Sequence, residues 1–238
     1  MTTQHASAAE KIELAVSDGT RMAAYVARPD DHDFHAGVIV LQEAYGVNAH
    51  IRSVADRLAQ AGFIAAAPEL FHRTAPGFEG DYKDFSSAMP HARAVTPATA
   101  EADLRATFDW LHSNDKVKSD QISSVGFCLG GKVSFLANSL LPLRAAVSFY
   151  GGGIAPDLLD RAATLHAPML FFWGGLDKHI TPEHRKSVTD ALGAHRKTYV
   201  NVEFSNADHG FFCDARASYQ PRAARQSWSL VLEFLRSQ

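Results

Sequence analysis

Three residues well separated in the chain are of the types that nucleophilic catalysis requires: a cysteine, Cys128, an aspartate, Asp177, and a histidine, His209. A thiol needs a base to take its proton, and the base needs a partner that orients it. Cys128 stands in Gly126-Phe127-Cys128-Leu129-Gly130-Gly131, between an apolar run, Ile122 to Phe127, and a helix-like run, Lys132 to Leu141. That pattern predicts a strand, a tight turn and a helix with the thiol at the apex. Glycines around the apex let the backbone turn sharply at little steric cost. The apex then lies over a helix N-terminus, whose positive end favours an anion, so the thiol can be lowered toward thiolate. The plain alternative for these six residues is a small buried side chain in a glycine-rich turn.

The other two residues follow in the order nucleophile, acid, histidine. Asp177 lies in Gly174-Gly175-Leu176-Asp177-Lys178-His179, after an apolar strand-like run, and His209 in Asn206-Ala207-Asp208-His209-Gly210-Phe211, after another. Loops just past strand ends can bring all three to one sheet edge. Asp177 could instead cap the helix that starts near Pro182, although Thr181 is better placed to do so. The chain has 12 histidines, so position rather than residue type singles out His209. His179 and Asp208 are the nearest rivals, but each is too close in sequence to its neighbour to fill a third place. A fourth candidate is Glu43, in Leu41-Gln42-Glu43-Ala44-Tyr45-Gly46-Val47-Asn48, at the end of a strand-like run. It could cap the following helix, face solvent, or bring a carboxylate within reach of the thiol. The backbone N–H groups of Ala44 and Leu129 would then form an oxyanion hole.

These residues must be positioned by alternating strands and helices. Ile12 to Val16 and Met22 to Ala27 read as a hairpin around Ser17-Asp18-Gly19. Gly37 to Leu41 and Phe63 to Ala67 read as buried strands, with a helix over Ile51 to Ala61 between them that stops at Gly62. Phe71 to Val95 is irregular and reads as a cap or pocket rim. Thr96-Pro97 predicts a capped helix to about His112, with Ala100, Leu104, Phe108 and Leu111 as its apolar stripe. Strands at Ala145 to Phe149, Met169 to Trp173 and Tyr199 to Phe204 follow, with a helix opening at Thr181-Pro182-Glu183. A last helix spans Pro221 to Leu235, with Trp228, Val231, Leu232 and Leu235 on one side. Short continuous apolar strands alternating with helices predict an α/β fold. Its sheet is mostly parallel and doubly wound, covered by helices on both faces. Ligands of such sheets bind beyond the carboxyl ends of the strands.

The chain of 238 residues is read as one domain, with residues 1–10 as a flexible N-terminus. Hydrophobic residues make up 46% and charged residues 21%, as in soluble globular proteins. A net charge of -3 without a basic cluster argues against nucleic acid as a partner. No apolar run reaches the roughly 20 residues of a membrane span. The first residues lack the basic start and apolar core of a secretory signal. Two cysteines, Cys128 and Cys213, allow one disulfide, but nothing else points to an oxidising compartment, so a cytoplasmic location is expected. A metal at Cys128, His209 and Cys213 matches no zinc signature, and neither metal nor cofactor is expected.

With these motifs in hand, the chain resembles the dienelactone hydrolase family of α/β-hydrolases. The matching stretches are Gln42 to Asn48, Gly126 to Gly131, Phe149-Tyr150-Gly151, Gly174 to Asp177 and Asp208-His209-Gly210-Phe211. The resemblance runs from about residue 12 onward. It implies an α/β-hydrolase fold, a triad of Cys128, Asp177 and His209, and an interaction of Glu43 with the cysteine in the resting enzyme. It also implies hydrolysis of an enol lactone bearing a carboxylate, dienelactone, to maleylacetate, with arginines holding the carboxylate. Arg73 matches one such arginine. The place of a second, just after the catalytic histidine, holds Phe211-Phe212-Cys213-Asp214 here, and the nearest arginine is Arg216. Arg73, Tyr45, Tyr150, Phe211 and Arg216 are taken as substrate-binding residues. The expected partner is a small ester or lactone, an anionic group on it being left open, as is the oligomeric state. A general carboxylesterase or thioesterase on the same scaffold is the alternative enzyme, and a non-catalytic binding protein the alternative of another class.

Overall fold

The computed structural model describes residues 5–238. The chain divides into two compact units, one up to Ser124 and one from Val125 to Gln238. In the first, β1 (Ser7–Ala15) and β2 (Arg21–Pro29) form a long antiparallel hairpin, with Leu14 opposite Met22. Its tight turn holds Gly19 at φ 88°, and both the N–H and the hydroxyl of Thr20 donate to Asp18 Oδ1. A side chain at Gly19 would sit in the strained left-handed region. β3 (His35–Leu41) and β4 (Phe63–Pro68) pair in parallel, and β4 also pairs antiparallel with β2. β1 begins at Ser7, well before Ile12, because backbone pairing extends over exposed residues that carry no apolar signal.

α1 (Ala49–Gln60) is capped by Asn48, whose side chain accepts from the N–H of Ile51. Its buried residues Ile51, Val54, Ala55 and Leu58 recur at helical spacing, so one stripe is withdrawn from water. Ile51, Val54 and Leu58 each contribute about 1.5–3 kcal/mol on full burial. The stretch read as irregular contains a helix, α2 (Phe85–Ala94). Pro90 inside it and a single buried residue, Ala88, hide it from pattern reading, and Asp84 caps it through Ser86 and Ser87. α3 (Pro97–Ser113) begins where Thr96-Pro97 places it, with a reciprocal Thr96–Thr99 capping box. Its partly buried Ala102, Ala106 and Trp110 pack against a cluster of Leu14, Val16, Met22 and Ala24 on the hairpin.

β5 (Val117–Phe127) is continuous across the division between the units. It starts five residues before Ile122, since Lys118, Ser119 and Asp120 are exposed. The second unit continues with α4 (Leu129–Leu140), β6 (Ala146–Phe149), β7 (Met169–Gly174), α5 (Pro182–Ala194), β8 (Tyr199–Phe204) and α6 (Pro221–Ser237). β6, β7 and β8 are parallel, with Ala146 opposite Met169 and Met169 opposite Tyr199. All three therefore end on the same edge. Phe127, Phe149, Phe172, Phe211 and Phe212 stack in the core beneath that edge, with Phe149 4.5 Å from Phe172 and 4.7 Å from Phe127. α6 buries Ala224, Ser227, Val231 and Leu235, a stripe that leaves Trp228 and Leu232 half-buried beside it. Among the described residues no helix is long and apolar enough to cross a membrane.

Candidate active site

Cys128 sits at the N-cap of α4 with φ 53°, a left-handed backbone that a non-glycine residue adopts only under constraint. Its N–H donates to Phe149 O at 3.0 Å, and its carbonyl accepts from Gly131 N–H at 2.9 Å. The glycines of the motif are required by closeness. A Cβ on Gly126 would lie 1.9 Å from Gly130 O, and one on Gly131 would lie 2.6 Å from Phe149 O. The thiol is half-exposed at the carboxyl end of β5, and no disulfide joins it to buried Cys213.

The other two residues arrive from the loops after β7 and β8. Asp177 Oδ1 accepts from the N–H groups of His179 at 2.8 Å and Ile180 at 3.2 Å. Its Oδ2 lies 2.8 Å from His209 Nδ1. His209 Nε2 lies 3.1 Å from Cys128 Sγ. The helix that Asp177 could have capped is capped by Thr181, whose hydroxyl accepts from His184 N–H. Asp208 Oδ1 accepts the backbone N–H of His209. His179 presents its ring to His209, with centroids 5.8 Å apart at 81°.

Electrostatics couple the three groups. Burial pushes the His209 imidazole down, but the negative sulfur of Cys128 and the hydrogen bonds from Asp177 and Cys128 outweigh it and hold the imidazole at about 10. Burial also works against a charge on Asp177. The His209 hydrogen bond and the two backbone N–H groups prevail and hold its carboxyl below the usual carboxylate range. The arrangement favours imidazolium beside sulfur. A nucleophile, a base and an orienter thus stand in hydrogen-bonding sequence, the order that acyl transfer needs.

The remaining expected site residues are distributed as follows. Glu43 is fully buried in the first unit, just past β3; Ala44 and Tyr45 follow it into the interior. The Tyr45 ring packs on Tyr82 at 4.6 Å. Arg73 is engaged within the first unit. Its Nη1 and Nη2 donate to Asp103 at 2.9 and 2.8 Å, and its Nε donates to Asp18 at 2.7 Å. This fork joins the hairpin turn, the loop after β4 and α3, which leaves little of the guanidinium for a ligand. Phe211 is sealed in the core against Phe204 and Tyr150, a supporting wall rather than an open surface. Tyr150 is likewise buried, with φ 38°, and its ring lies 5.1 Å from that of His209. Arg216 lies beside the loop that carries His209: a Cβ on Gly210 would fall 2.4 Å from its Cζ. Pattern reading missed Asp103, although a carboxylate beside Leu104 on an otherwise apolar stripe was the available signal. It also missed the contact between Tyr150 and His209, for which no local signal exists.

A thiol elbow at the end of β5, with acid and histidine on the loops after the parallel strands β7 and β8, defines an α/β-hydrolase. The family model of the dienelactone hydrolase family matches residues 22–238. A protein of Synechocystis sp. that bears the assigned name carboxymethylenebutenolidase is 34% identical over 229 residues, covering 92% of each chain. A Bradyrhizobium sp. protein assigned as a 2-oxo-3-(5-oxofuran-2-ylidene)propanoate lactonase is 29% identical, over 92% of this chain and 91% of its own. A crystal structure from Klebsiella pneumoniae, of a protein assigned as a dienelactone hydrolase, superposes with a TM-score of 0.90 at 32% identity. It covers 98% of this chain and 100% of that one. The chain belongs to the dienelactone hydrolase family and has its α/β-hydrolase fold. It is a hydrolase of ester or lactone bonds.

Proposed function

We infer that the chain opens an enol lactone, or a similarly activated ester, through a thioester on Cys128. The observation that carries this reading is the hydrogen-bonded line from Asp177 through His209 to the Cys128 sulfur. The thiol proton passes to His209, and the sulfur attacks the acyl carbon. The Leu129 N–H, in the first turn of α4, contributes to stabilising the oxyanion. The enol oxygen leaves with the proton from His209, and the neutral imidazole then takes a proton from water to hydrolyse the thioester. An enolate or phenolate leaves readily against a thiolate, whereas an alkoxide does not. Turnover is therefore expected on enol and aryl esters, far less on alkyl esters, and not on amides. For Glu43 and Ala44 the family resemblance supplies the roles: Glu43 restrains the resting thiol, and the Ala44 N–H is the second oxyanion donor. An unchanged thiolate absorbance in Glu43→Gln would refute the role of Glu43.

A carboxylate on the substrate is supported by Arg216, packed beside Gly210 in the catalytic loop. The name of the Bradyrhizobium relative, a lactonase of a propanoate, agrees with it. The engagement of Arg73 by two aspartates instead favours a broader esterase on the same scaffold. Paired aryl esters with and without a carboxylate separate the two readings. Arg216→Ala should raise KM for the anionic ester by about 10-fold or more, the scale of one charge-assisted contact, and leave the neutral one alone. Equal effects on both would favour the broader esterase. Mass spectrometry after brief exposure to an activated ester should find the acyl group on Cys128; its absence would overturn the thioester. We also take both units to form one hydrolase domain, since the family match spans them, and we place it in the cytoplasm on composition.

A further inference from the structure

Tyr150 combines three observations that the triad does not use. Its backbone lies in the left-handed region at φ 38°, held by its N–H donating to Phe172 O at 2.8 Å and its carbonyl accepting from Gly152 N–H at 3.0 Å. The side chain is fully buried, although the residue stands just past the end of β6, where loops usually reach solvent. Its ring centroid lies 5.1 Å from that of His209, inclined at 57°. A strained backbone that persists in a buried position is a candidate for a functional constraint.

The hydrogen bonds of His209 suggest which constraint. Nδ1 is tied to Asp177 and Nε2 to Cys128. Two bonds at opposite ends of an imidazole fix its line, but they resist tilting about that line weakly. The histidine χ2 torsion is itself broad. In the resting enzyme the sulfur still anchors one end. Once the sulfur carries an acyl group it is no longer a charged partner, and only Asp177 and packing hold the ring. We propose that Tyr150 is a positioning residue, whose ring keeps the His209 imidazole aimed while Cys128 is acylated. This rests on the cysteine thioester reading and assigns Tyr150 to deacylation rather than to substrate contact.

The step it serves is balanced within the site. Water loses a proton to His209 Nε2 as its oxygen bonds to the thioester carbon. The C–S bond then breaks, the carboxylic acid leaves, and the sulfur departs as thiolate beside the imidazolium. Losing the ring at residue 150 should slow this step and spare acylation, which begins with the sulfur anchor in place.

The experiment compares wild type, Tyr150→Phe, Tyr150→Leu and Tyr150→Met, using p-nitrophenyl acetate as the probe. Stopped-flow release of p-nitrophenolate reports acylation. Decay of the acetyl adduct on Cys128 by mass spectrometry, after removal of excess ester, reports deacylation. Methionine fills the site flexibly should leucine fail to fold, and thermal melts establish which variants are folded. The expected result is a deacylation rate about 10-fold or more lower in Leu and Met. Acylation and kcat/KM should stay within about twofold, and Phe should behave as wild type. Equal losses in acylation and deacylation, or a Phe variant as slow as Leu, would overturn the assignment of the ring to this step. If wild type never acetylates Cys128, the thioester reading itself fails. If wild type acetylates and the Leu or Met adduct decays at the wild-type rate, only the role of Tyr150 fails.

Discussion

At the scale of single residues, what the site can do depends on how one imidazole is oriented. Asp177 holds Nδ1–H of His209, so Nε2 faces the sulfur. Asp177→Asn removes the charge and can present an N–H where an acceptor is needed. It should lower kcat by up to about 10⁴-fold with the fold intact; steady-state kinetics on an aryl ester, with circular dichroism as a control, checks this. The two arginines read as substrate anchors in the sequence separate here. Arg73 is bound within the first unit by Asp18 and Asp103, and Arg216 lies close to Gly210, next to His209. Residue type and a motif match could not distinguish them. Which carboxylates meet a guanidinium is decided by which elements pack together.

At the scale of elements, close backbone approach governs the elbow. With Gly126 set against Gly130 O, the Cβ of Gly126→Ala has no space. The substitution should cost about 1–3 kcal/mol, the range of overpacked cores, and displace the nucleophile. Urea unfolding and acylation kinetics measured together would register both. The Arg73 fork ties three elements of the first unit. Burial pushes the Asp103 carboxyl up in spite of the Arg73 hydrogen bonds that oppose it. Arg73→Leu would leave that buried carboxylate with only His72, 3.9 Å away, beside it, with a loss of about 3–5 kcal/mol at neutral pH. The loss should shrink on acidification, because protonation removes the buried charge. Arg73→Leu combined with Asp103→Leu should recover part of it. Urea midpoints of the three variants at pH 7 and pH 5 test this, and a pH-independent loss would contradict it.

At the scale of the whole molecule, the triad leaves its mark on the pH dependence of stability. The His209 imidazole is raised from its ordinary 6.5 to about 10 on folding. The folded state therefore binds its proton more tightly than the unfolded state does. Its contribution is complete below about pH 6.5 and fades as pH climbs toward 10. Asp177 is held below its ordinary 3.8, so its contribution is present above that value and is lost as pH falls through the lower folded one. Stability should therefore plateau from about pH 4 to 6.5 and decline on either side. His209→Gln should flatten the alkaline limb. Scanning calorimetry from pH 3 to 10 checks it, and an unchanged alkaline limb would refute the raised imidazole.

Much of this protein is written in local sequence, because local rules act there. Glycines must flank a turn that leaves no room for Cβ, Thr96-Pro97 must open a helix, and apolar runs must find a buried sheet. The order of Cys128, Asp177 and His209 at strand ends is therefore legible in the sequence itself. The helix at Phe85–Ala94 is not, since Pro90 and a nearly all-exposed surface erase its periodicity. Nor is the binding of Arg73 to Asp103 or the contact of Tyr150 with His209. Those pairs are 30 and 59 residues apart, and no local energy term links them. Only tertiary packing settles such contacts, because strand order and helix docking choose which distant side chains share a space.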